Sequence, residues 1–142
     1  MRKRDFTLLR RCLPALLVTF VLLSCSDSTD SEPGAAGTWQ LQTVNGQALP
    51  FTLETGVGFK LELTGESMTL LETGSVSMMT MFRVTDAGVV STESIPDSGS
   101  YTVNGSTITF TFSSDGSTPQ ATVTGDTMTL GDIGLTFVYR RE

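Results

Sequence analysis

Apolar and polar residues alternate through most of the chain beyond residue 37. Phe59, Leu61 and Leu63 are separated by Lys60 and Glu62, and Ile108, Phe110 and Phe112 by Thr109 and Thr111. Leu135, Phe137 and Tyr139 repeat the spacing at the end. A period of two sends successive side chains to opposite faces of a strand, one buried and one wet. No stretch of helical length after residue 24 keeps a period of 3.6. The pattern predicts strands near 38–44, 58–64, 67–72, 75–85, 88–95, 99–104, 106–113, 118–124, 126–131 and 134–141. Short connections pair neighbours in sequence antiparallel. The expected fold is therefore all-β, an up-and-down meander of 8–10 strands that closes into a small barrel and so removes its edges. A barrel of about eight strands has an interior that side chains just fill or that holds one small ligand.

Within this pattern lies an echo. "YTVNGSTITF" (101–110) and "ATVTGDTMTL" (121–130) share Thr, Val, Gly, Thr and Thr, and "LELTGESMTL" (61–70) is a weaker copy. Each reads as strand, tight turn and strand, with Gly105, Gly125 or Gly65 in the turn. Asn104-Gly105 is a strong hairpin signal, because both residue types tolerate positive φ.

The first 36 residues have a different character. Arg2, Lys3, Arg4, Arg10 and Arg11 precede a 12-residue apolar core, Cys12–Leu23, too short to span a bilayer as a helix. Leu22-Leu23-Ser24-Cys25 resembles a bacterial lipobox. The resemblance implies a leader over 1–24, cleavage before Cys25 and lipidation of its thiol. The membrane is then a partner, through the lipid on Cys25. Ser26, a residue other than Asp, implies delivery to the outer membrane of the cell envelope. Residues 25–36 read as a lipidated cysteine and flexible acidic linker, and 37–142 as the barrel domain.

Charge narrows the partners. From Cys25 onward Lys60, Arg83, Arg140 and Arg141 face 14 acids, a net charge of −10. Such a surface repels nucleic acid and anionic headgroups. The chain has no histidine, and its only other cysteine, Cys12, lies in the leader. Histidine-based triads and zinc sites are thereby excluded, and no cofactor or metal motif is visible. Glu93 and Asp97 form the nearest carboxylate pair, but "STESIPDSGS" reads as a solvated loop. The expectation is a protein without catalysis.

"SVSMMTMFRV" (75–84) is apolar on both faces: Val76, Met78, Phe82 and Val84 on one, Met79 and Met81 on the other. Such a strand is covered on both sides, bulged, or open to a partner. Residues 45–57 are long enough to cover a barrel mouth. Methionine suits adaptable apolar surfaces, which makes Met79, Met81 and Phe82 the candidate ligand or partner surface.

"GTWQLQTVNGQALP" (37–50), the meander and the closing "LTFVYRRE" (135–142) resemble small bacterial lipocalin-like lipoproteins. Gly37-Thr38-Trp39 is similar to the G-x-W of that family's first strand, and Arg140 or Arg141 stands where the family keeps an arginine packed on the tryptophan. The resemblance implies a barrel with Trp39 plugging one end and a small apolar ligand inside. The chain is shorter than typical members and shows no C-terminal helix. A filled barrel serving as an envelope interaction or inhibitor module is the alternative. "WQLQTVNGQAL" also resembles the start of the META domain, another small envelope β-fold.

Overall fold

Ten strands and no helix form in residues 34–142, the part of the chain that the computed structural model describes. The expected leader, Cys25 and residues 25–33 of the expected linker lie outside the described residues. The strands are β1 (Gly37–Val44), β2 (Gln47–Ala48), β3 (Phe51–Gly56), β4 (Phe59–Leu70), β5 (Ser75–Asp86), β6 (Val89–Asn104), β7 (Thr107–Phe112), β8 (Gln120–Thr124), β9 (Thr127–Asp132) and β10 (Leu135–Arg141). From β3 to β10 each pairs antiparallel with the next, β10 pairs with β1, and β1 pairs with β4. The ring of β1 and β4–β10 is a closed eight-stranded antiparallel barrel.

The closing seam is short. Only Gly37–Gln40 of β1 meets Ser67–Leu70 of β4. Beyond it β1 pairs instead with β2, and the first half of β4 pairs with β3. The barrel is therefore tight at the Gly37 end and splayed at the other, where β2 and β3 fill the gap. β4 changes partner at a bulge between Leu63 and Gly65. A bulge inserts one unpaired residue and bends the strand, and here it lets one strand serve two neighbours.

The sequence suggested a turn at Gly65 and two strands, 58–64 and 67–72. One strand, β4, runs through instead. Gly65 is needed for a different reason: a Cβ there would lie 2.5 Å from the Met81 methyl. Likewise 88–95 and 99–104 are one strand, β6, so the presumed loop around Glu93 and Asp97 is extended sheet. β6 pairs with β5 along most of its length but with β7 only from Gly99 to Asn104. The first part of β6, with β3 and the adjoining halves of β4 and β5, forms a lip beyond the ring. The hairpins at Gly105 and Gly125 are present, with positive φ at both glycines.

Alternation explains the core. Trp39, Leu41, Met68, Leu70, Val76, Ile108, Phe110, Phe112, Ala121, Met128, Leu130 and Tyr139 all point inward and are buried. Eight of the large side chains, Trp39, Tyr139, Phe110, Met68, Leu70, Ile108, Met128 and Val44, are sealed from solvent. The Thr-rich faces of β6–β9 are mostly the outer surface, as β-branched residues favour.

Candidate functional site

The tight end is a plug. Trp39, the only tryptophan, is fully buried, and its indole N–H donates to the Ala35 carbonyl at 3.0 Å. The Arg141 guanidinium lies 4.5 Å from the ring centroid, a cation–π contact. It also donates to the carbonyls of Ala36 at 2.6 Å and Gly34 at 2.9 Å. Of the two arginines that sequence left open, Arg141 covers the ring, while Arg140 is exposed. A hollow of about 330 Å³ beside this plug is lined by Gly34, Ala35, Val103, Gly105, Ser106, Ile108, Val123 and Gly125. Its lining is small and aliphatic and offers no charged side chain to orient a ligand.

The splayed end keeps a mouth. A cavity of about 180 Å³ opens between Met68, Met78, Phe112, Leu130 and Phe137. Its floor carries a buried polar cluster: Glu66 accepts from the Thr80 hydroxyl at 2.7 Å and from the Tyr139 hydroxyl. Glu66 and Thr80 face each other across β4 and β5. Around the rim stand Asp97, Ser114, Asp115, Ser117, Pro119 and Asp132. Asp97 accepts from the Ser114 hydroxyl at 2.6 Å, and Asp115 from the Ser117 N–H at 2.8 Å. That backbone bond is the main reason the Asp115 carboxyl sits below the usual carboxylate range. An apolar pocket with a few convergent polar groups is the usual form of a small-molecule site.

A family model for the lipocalin-like domain matches residues 36–130, most of the ring just described. The chain belongs to the lipocalin-like family. No curated protein matches it. The lipocalin-like barrel places the remaining candidate residues as follows. Met79 and Met81 point outward and are 39 % and 41 % exposed, uncovered by residues 45–57, because 51–56 pair along β4 as an edge strand. Phe82 takes the opposite face, packed against the core. The three residues therefore do not form one surface. Glu93 sits on the lip opposite Phe82, and Asp97 lies four residues on at the mouth. That separation, about 13 Å along a strand, rules them out as a facing pair.

Sequence reasoning missed Glu66, Thr80, Tyr139, Asp115 and Asp132. On the outer face it also missed Glu62, which is 4 % exposed and bridges Lys60 at 2.7 Å and Arg83 at 2.8 Å. Lys60 first and Arg83 second hold the Glu62 carboxyl below its ordinary value.

The floor cluster makes stability sensitive to alkali. Burial first, then the charge of Glu66, its hydrogen bond and the charge of Asp132, hold the Tyr139 hydroxyl well above its ordinary value. The folded state thus keeps this proton to higher pH than the unfolded chain. The corresponding stability is intact below about pH 10 and is lost as pH climbs from there toward the folded value. Tyr101, the only other tyrosine, is shifted the same way, by burial and then Glu72. Tyrosinate absorbance should therefore rise together with loss of the folded signal from Trp39 fluorescence. Full ionisation of both tyrosines near pH 10 inside a folded protein would contradict the burial of Tyr139.

Proposed function

We propose that this lipocalin-like barrel is a non-catalytic binding protein, anchored to the outer membrane by lipid on Cys25, that holds one small, largely apolar molecule in its mouth. The observation that carries the reading is the contrast within one interior. The half near Trp39 is packed with sealed side chains, while the half near Met78 and Phe137 retains about 180 Å³ above a hydrogen-bonded carboxylate. Folding alone gives no reason to leave that space, since an empty cavity loses packing contacts and destabilises. The packed half limits the ligand's size. At about 30 Å³ per water-sized group, the space itself admits roughly six non-hydrogen atoms, and a slightly longer molecule would reach out to the open rim.

Native mass spectrometry of the full-length gene product, extracted from envelopes and never denatured, tests both parts of the reading. The expected species begins at Cys25, carries acyl chains and releases a small molecule on denaturation. A protein that retains residues 1–24 overturns the lipid anchor. One that is empty, and stays empty after incubation with a small-molecule extract, overturns the ligand.

A further inference from the structure

The charges around the mouth are unbalanced. Glu66, Asp97, Asp115 and Asp132 all border the cavity, and no basic residue does. The four basic residues of the described chain are committed elsewhere. Lys60 and Arg83 are held by Glu62 on the outer face. Arg141 lies on Trp39 at the opposite end, and Arg140 is exposed on that same final turn of β10. Glu66 is 8 % exposed, and its hydrogen-bond partners are neutral hydroxyls, not cations. A buried carboxylate is costly unless it is paired.

The acids alone would not make a site; the cavity does that, and the acids decide what it takes. A cleft of one sign with low-dielectric walls focuses the field and concentrates counter-ions. Two features turn this toward an organic ion. Among the described residues no three acidic side chains converge closely enough to hold a metal ion. The walls between them are methionine, leucine and aromatic, and aromatic rings such as Phe112 and Phe137 suit an organic cation better than a bare metal ion.

We propose that the mouth binds a small organic ammonium ion, its apolar body against Met68, Met78, Phe112, Leu130 and Phe137 and its charged head toward the carboxylates of Glu66 and the rim. This inference rests on the mouth being the binding site and adds the chemical class of its ligand.

The test compares three probes of similar shape, hexylammonium, 1-hexanol and hexanoate, by calorimetric titration of the full chain at neutral pH and low salt. Hexylammonium is expected to bind at least roughly tenfold more tightly than hexanol, and hexanoate more weakly than either. Added salt should erode the ammonium advantage, since Asp115 and Asp132 are exposed. Asp132→Asn, at an exposed rim position, should reduce the ammonium affinity several-fold and leave hexanol unchanged. Glu66→Gln should remove most of the remaining preference where it folds. Ser117→Trp, which blocks the rim, should abolish binding of hexylammonium and hexanol alike. Hexanol or hexanoate binding as tightly as the ammonium, blocked by Ser117→Trp, would overturn the cation inference and leave the apolar-ligand reading standing. Failure of all three probes to bind would overturn both.

Discussion

Trp39→Ala is expected to remove about 3–5 kcal/mol of folding stability, the range for deleting a large buried aromatic. The ring is fully buried, and its loss leaves a void that the neighbours cannot close. One side is the β-ladder to Arg141 and Met68, both fixed by backbone pairing. The other is the Ala35 carbonyl, which would lose the indole donor. The Arg141 guanidinium would lose the face it covers. For a domain with roughly 5–15 kcal/mol in total, such a loss is a large fraction. Urea denaturation reads it directly. A change below about 1 kcal/mol would mean that the ring does not plug the barrel.

Gly99→Ala should come next, at about 3 kcal/mol, the upper end for overpacking. Gly99 is where β6 stops being lip and joins the ring. A Cβ there would lie 2.0 Å from the Thr111 carbonyl oxygen and 3.0 Å from the Phe112 Cα. Both are backbone atoms of the neighbouring strand, so no rotamer change relieves the clash. Gly131 is the control, because a Cβ there meets nothing within 4 Å. Gly131→Ala should stay within about 0.5 kcal/mol. Equal melting temperatures for the two alanine variants would show that β6 and β7 do not approach as described.

Gly65 shows the limit of a local reading: a short strand pattern does not reveal who sits opposite. Gly65 reads as a turn through its echo of the Gly105 and Gly125 hairpins, and the inward parity does change between Leu61–Leu63 and Met68–Leu70. A turn and a bulge both shift parity by one, and only the pairing of β4 with two partners tells them apart. That slip also hid Glu66. Counted straight from Leu63, it falls on the outer face with Glu62; counted across the bulge, it faces Thr80 and the interior. Pro96 and the serines around it read as a loop, yet they lie on a strand edge that lacks a second neighbour, where sheets tolerate proline.

The fold class was legible because alternation is local and strong in β7 and β10. So was the tight end, through Gly37-Thr38-Trp39 and the closing arginines. The mouth was not. Glu66 and Tyr139 are 73 residues apart, and nothing in either neighbourhood marks them as partners. Asp115 sits in the turn after β7 and Asp132 at the end of β9, and only the closed ring draws them together.

The chain enters the barrel at its sealed end, where the carbonyls of Gly34 and Ala36 are gripped by Arg141. The acidic opening lies at the far end of the same strands, beyond Asp132 and Leu135. Any leash attached ahead of residue 34 therefore holds the molecule by its base, like a cup on a cord. Tension reaches the arginine clasp first and leaves the rim undisturbed. A ligand taken up as proposed would enter on the side that faces away from residue 34, so its entry and a mooring through the N-terminus would be mechanically separate.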